Sequence, residues 1–372
     1  MLLLFVLASL LPLSFQQCLT AKDEIRKLSD TAHQSLLQSE LQFSADLLRS
    51  AASLLPDGNL IISPSSVFQA SLLAYFISAN QTERSLKQAL HLADDYDKLD
   101  ILGAYNMENF YQKLRTAKSR SYQLSSANRF YFAKDLKVQY CMKVLFAEEL
   151  YPANFQENSK GVVKKINQWV AAQTRNVMKD FLSEDAVTKD TQLVLVNAAY
   201  FKGKWKSPFD ENNSYEGNFH LSNGSEVKTI LMTQDGKFKS KVDKKLGVEA
   251  VELPYVGDDI SMFVLLPLKP SPSAVQDLIK KLDGKALLSL IQTMGAKESL
   301  GPKRTVTIPK FTVGSELDLT PILESLGVGD LFTKSGDLST LSPDISFSEA
   351  VHKAKLDSTN IYRHINRRTK HQ

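Results

Sequence analysis

Thr191–Phe209 reads TQLVLVNAAYFKGKWKSPF. Between Thr191 and Phe201 the run is apolar on both faces of a period-two strand. A strand with one wet face alternates; a run like this must be covered above and below. The stretch therefore predicts a buried strand inside a layered sheet.

Outward from it, the chain changes character. Upstream the reading is helical. In FSADLLRSAASLLPDG, residues Phe43, Leu47, Leu48, Ala51 and Leu55 share one helical face, and Pro56 with Gly58 ends the run. NLIISPSSVFQASLLAYFI follows, where Ser63 stands at an N-cap position with Pro64 at the first helical position. Phe68, Leu72, Tyr75 and Phe76 form the apolar stripe of that helix. Downstream the reading is strand-rich. Ser-Asn-Gly within Leu221–Glu226 signals a hairpin. VELPY, Gly257-Asp258-Asp259 and ISMFVLLP read as strand, turn, strand, and TVTIPKF is a further strand. SAVQDLIKKLDGKALLSLIQTM between them is helical. Helices early and strands late make the chain α+β, with no repeat and no low-complexity linker.

The chain has 372 residues, 43% of them hydrophobic and 23% charged, with a formal net charge of +4. That is an ordinary globular composition, too weakly basic to argue for nucleic acid. MLLLFVLASLLPLSF at the start has the length of a secretory leader core and is short for a membrane span. Residues 1–20 are expected to be a signal peptide cleaved near Cys18–Ala21, and the protein to be secreted. No later segment is apolar enough to span a bilayer. Of the two cysteines, Cys18 is then expected to leave with the leader. Cys141 would remain as a buried, unreactive thiol in a fold without disulfides. Asn80, Asn212 and Asn223 begin N-x-[ST] sequons, credible glycan sites behind a leader.

Enzyme signatures are missing. There is no CxxC pair, HExxH, GxSxG or GxGxxG, and GAKESLG at 295–301 has the wrong spacing for a phosphate loop. The six histidines do not stand at metal-ligand spacing. Neither catalysis nor a metal or cofactor is expected. Two basic clusters, Lys113/Arg115/Lys118/Arg120 and Lys237–Lys245, read as solvated surface; the competing reading is a site for a sulfated polysaccharide.

The pieces TQLVLVNAAYFKGKWKSPF, INQWVAAQT, VELPYVGDDISMFVLLP, TIPKFTVGSELDLTPILESLGVGDLF, NLIISPSS and FSEAVHKA stand in an order and spacing that resembles the serpin family from about residue 40 to 358. The resemblance implies one monomeric domain, here residues 21–360, with three β-sheets and about nine helices. It implies a serine-protease inhibitor that works by suicide. A cleaved loop, still acylating the protease, inserts into the longest sheet as a new central strand. It places a shutter at Ser63, Ser66, Asn197 and His352, and a breach at Trp205 and Lys310. One departure is Ser78-Ala79-Asn80-Gln81-Thr82, where the family has a glycine-containing turn; it reads as a modified helix end.

The end of the chain departs further. Val351–Ala354 matches the start of the strand that leads to the loop. The family then continues into a hinge of small residues. Here Asn360 replaces the hinge glutamate that pairs with the breach lysine, Tyr362 the glycine and Arg363 the threonine; Lys355 replaces an apolar residue. Residues 361–372 form a basic tail unlike the family. The expectation is a chain without hinge, reactive loop or the strands beyond. It would not itself inhibit a protease, and it would expose apolar surface. A full-length form is expected to meet a serine protease; the alternative for this chain is a non-inhibitory binding protein on the same scaffold.

Overall fold

A computed structural model describes residues 18–20, 23–24, 26–55, 58–118, 121–221, 223–295, 301, 303–343, 345–357 and 361–362, the last pair and Lys118 in backbone only. Its helices are α1 (Asp30–Leu54), α2 (Pro64–Ile77), α3 (Asn80–Ala89), α4 (Lys98–Lys118), α5 (Tyr140–Leu145), α6 (Phe155–Gln173), α7 (Ala274–Lys281), α8 (Gly284–Gly295) and α9 (Leu319–Ser325). Its strands are β1 (Tyr122–Ala133), β2 (Leu150–Ala153), β3 (Leu193–Gly203), β4 (Phe209–Asp210), β5 (Tyr215–His220), β6 (Glu226–Lys237), β7 (Ser240–Asp243), β8 (Val248–Pro254), β9 (Ser261–Pro267), β10 (Lys303–Pro309), β11 (Thr312–Asp318), β12 (Glu349–Asp357) and β13 (Ile361–Tyr362). The α+β expectation holds among the described residues.

The largest sheet has the order β11-β12-β3-β1-β2. The opening stretch supplies its centre. Leu193 and Leu195 of β3 pack toward α2, while Val194, Val196 and Ala198 pack toward α6. A helix layer therefore covers each face, which is why β3 does not alternate. Helix α2 is itself buried on nearly every side. Val67, Phe68, Tyr75 and Phe76 are buried, as a helix enclosed by other elements requires. Two three-stranded sheets, β10-β6-β5 and β7-β8-β9, and the pair β4-β13 complete the strands. The hairpin read at Ser-Asn-Gly joins β5 to β6, with Gly224 in the left-handed region at φ +82.

Three local expectations need adjustment. The helical run at 273–294 is two helices. Asp283 caps the second through the Ala286 N–H (2.7 Å), and Gly284 lets the chain approach Gln42, whose backbone would lie 2.7 Å from any added Cβ. Ser63 occupies the N-cap of α2, but its side chain makes no capping bond. Third, the disulfide-free fold is overturned: Cys18 and Cys141 are joined, Cα atoms 6.1 Å apart and 123 residues apart in sequence. The expectation failed because it assigned Cys18 to a discarded leader, which left Cys141 without a partner.

At the Ser78–Thr82 departure, α2 ends on Ser78 and Asn80 takes φ +52, a conformation asparagine tolerates. The Ser78 carbonyl accepts from buried Lys98 Nζ (2.5 Å) and from Thr340 Oγ1 (2.9 Å). Lys98 also pairs with Glu83 at 2.9 Å and lies over the Tyr75 ring. The helix end is thus closed by side chains instead of a glycine turn. Lys355, placed where the family is apolar, lies on the half-exposed face of β12, while Ala350, His352 and Ala354 take the buried one.

Strand β9 has β8 as its only neighbour among the described residues. Its side chains are half-buried or exposed although SMFVLLP carries no charge, and Leu266 is 64% exposed. Val251, Val264, Leu266, Val306 and Ile308, together with the paired Glu249 and Arg304, line a cavity of about 400 Å³ between β8, β9 and β10.

Candidate functional site

The seam between β3 and β12 lies mid-sheet. The two strands run parallel, from Glu349 opposite Val194 to Asp357 opposite Lys202, with His352 opposite Asn197. A period of two puts both of these side chains on the α2 face. Pro64 starts α2 directly beneath, so the first turn of that helix points its polar groups up at the seam.

His352 is wholly enclosed. Its Nε2 accepts the Ser63 N–H at 3.1 Å, and its Nδ1–H donates to Asn197 Oδ1. That pattern requires the neutral imidazole with its proton on Nδ1. Burial pushes its pKa down to about 4, partly opposed by the hydrogen bond to Asn197. Asn197 Nδ2 then donates to the Ser66 carbonyl (2.8 Å), Ser66 Oγ (2.9 Å) and Asn128 Oδ1 (2.5 Å). Ser66 Oγ lies 3.0 Å from Ser126 Oγ and donates to Asn128 Oδ1 at 3.1 Å; Asn128 Nδ2 donates to Gln69 Oε1 at 3.2 Å. One polar chain therefore runs from β12 through β3 to β1, tied down to α2.

All four residues expected at the shutter meet here, with one difference: Ser63 acts through its backbone N–H. The sequence reading missed Ser126, Asn128 and Gln69. A signal existed for two of them. On β1 the even residues Phe130 and Phe132 face the α2 core, and Ser126 with Asn128 continues that face as two polar residues at strand spacing.

At the far end of β3, Trp205 stacks on Tyr255 (4.4 Å between centroids) and meets Phe209 edge-on (6.1 Å). Trp205 is buried, and its Nε1 has no hydrogen-bond partner among the described residues. Lys310 follows β10, its N–H bound to the Ile230 carbonyl at 2.8 Å; no ion pair of its ammonium forms among the described residues. Of the hinge positions, Asn360 and Arg363 lie outside the described residues. Tyr362 pairs through its backbone with Asp210.

The basic cluster on α4 is partly neutralised. Lys113 pairs with Glu148 at 3.1 Å and Arg115 with Glu108 at 2.6 Å. The Lys118 side chain and Arg120 lie outside the described residues. Asn80, Asn212 and Asn223 are exposed. Among the described residues no group of three His, Cys, Asp or Glu could hold a metal ion, and no helix is long and apolar enough to cross a membrane.

The sequence profile of the family described as Serpin (serine protease inhibitor) matches residues 38–362. The chain belongs to the serpin family. Serine protease inhibitor 88Ea of Drosophila melanogaster is 32% identical over 342 residues, covering 87% of this chain and 78% of that protein. Leukocyte elastase inhibitor of Bos taurus is 31% identical, covering 87% and 85%. Among solved structures, uncleaved ovalbumin superposes with a TM-score of 0.78 at 22% identity, covering 88% of this chain and 90% of that one. That likeness supports the fold, and the sequence relatives carry the family's character as protease inhibitors. Within this serpin, Asn197 and His352 join the two parallel strands in the middle of the largest sheet.

Proposed function

We propose that this serpin is a secreted, monomeric member of the inhibitor family whose β3–β12 seam is a latch for strand insertion. The observation that carries the reading is the His352–Asn197 pair, a buried hydrogen bond spanning two adjacent parallel strands and continued onto α2. A strand entering between β3 and β12 must break that bond. It would supply in exchange a full row of backbone donors and acceptors to both strands. A serpin of this body with a small-residue hinge would act on a serine protease without any catalytic group of its own.

This chain itself is proposed to be non-inhibitory. An inserted strand presents alternate side chains to the α2 core. In NIYRHINRRTKHQ either alternation buries cations, in one register Arg363 and Arg367, in the other Arg368 and Lys370. Burying unpaired charge opposes insertion strongly. The test is to mix the protein with trypsin and with chymotrypsin and run denaturing gels. No detergent-stable complex is expected; a covalent band would overturn the proposal.

Secretion and N-glycosylation belong to the same reading, supported by the leader-like start and the exposed sequons. A mass loss on amidase treatment of protein from culture medium tests both. The polysaccharide reading is weakened by the carboxylate partners of Lys113 and Arg115, and elution from heparin at low salt is expected.

A further inference from the structure

The described residues between Cys18 and Arg26 carry several ties to the body that a discarded leader would not make. Cys18 is bonded to Cys141 of α5. Leu19 is 9% exposed and belongs to the main core, with both cysteines packed against the same cluster. Behind them the Asp23 carboxylate gathers the start of the strap. It accepts from the N–H groups of Cys18 (2.6 Å), Leu19 (3.1 Å) and Thr20 (2.8 Å), and from the Thr20 hydroxyl (2.8 Å). Burial pushes that carboxyl up, but these donors together hold it below its usual range. Arg26 then pairs with Asp97 (2.9 Å) and Asp100 (3.1 Å) at the start of α4.

We infer that Cys18 is retained in the mature protein as half of a structural disulfide with Cys141, so that leader removal cuts the chain before Cys18. The inference rests on the secretory reading above. The apolar stretch ends at Phe15, which leaves the bonds between Phe15 and Cys18 for the cut. Hydrolysis there adds one water across a peptide bond, leaving a carboxylate on the leader and a new amino terminus on the strap. The disulfide forms by thiol–disulfide exchange with a disulfide-bearing oxidant of the secretory lumen. The Cys18 and Cys141 thiols give up two protons and two electrons, one S–S bond forms, and the oxidant's own disulfide is reduced to two thiols.

The full chain is expressed in secreting eukaryotic cells, and protein from the medium is digested without reduction and mapped by mass. The expected result is an amino terminus at or before Cys18 and one crosslinked peptide holding Cys18 and Cys141, which separates into two on reduction. A secreted chain beginning at Leu19 or later overturns the inference while leaving secretion intact. Retention in the cytosol with Met1 present and both thiols alkylatable overturns the secretory reading with it. Cys141→Ser gives an independent readout that does not require native packing. The secreted variant is expected to take up one maleimide under native or denaturing conditions, where the parent takes up none; no label on the denatured, reduced variant would mean that Cys18 had been removed.

Discussion

His352 makes the seam sensitive to acid. Its folded pKa of about 4 lies below the ordinary histidine value of 6.5, so the unfolded chain binds the proton more readily. The stability it contributes is complete above pH 6.5 and is lost as the pH falls toward 4, by up to about 3 kcal/mol. Urea unfolding between pH 7.5 and 4.5 should show a slope in this window that a His352→Gln variant lacks. Asn197 is the other half of the pair. Asn197→Ala strands the His352 Nδ1–H and the acceptors on Ser66 and Asn128, and should cost about 3 kcal/mol in the same assay. What sequence can tell about such residues is uneven. The resemblance pointed to Asn197 and His352 by position. The use of the Ser63 backbone N–H was hidden, because which atom of a serine faces the sheet depends on how Pro64 starts α2.

At the scale of elements, β3 was legible from its own composition. An apolar run on both faces demands two covering layers, and α2 and α6 provide them. The closing of α2 was less legible, since Lys98 comes from the start of another helix. Burial pushes its ammonium pKa down, with Glu83 opposing. Lys98→Met removes a donor from the Ser78 carbonyl and leaves Glu83 unpaired, and should lower stability by about 2 kcal/mol. If thermal unfolding of that variant matched the parent, the lysine closure of α2 would be irrelevant. The split between α7 and α8 was illegible for a similar reason. Gly284 is explained by the approach of α1, a contact 242 residues away in sequence.

Across the whole molecule, the disulfide closes a loop of 123 residues between α5 and the start of the described chain. Reduction should cost up to about 5 kcal/mol if it acts mainly on the unfolded ensemble, measured as the loss in guanidinium unfolding free energy. The β9 edge is the opposite kind of feature. Uncharged, with no second strand beside it among the described residues and with Leu266 exposed, it favours association between copies. Light scattering should show concentration-dependent aggregation that Leu266→Lys suppresses with little change in unfolding free energy. The proposed latch requires that the sheet can part between β3 and β12. Its most direct measurement is thermal unfolding with and without a capped, uncharged peptide of about twelve residues that alternates threonine with alanine, with the His352 imidazole followed by NMR. The expected result is a rise in Tm of at least about 10 °C and a changed His352 signal, as the bond to Asn197 gives way to the new strand. A folded protein whose Tm and His352 signal stay fixed at saturating peptide would contradict it.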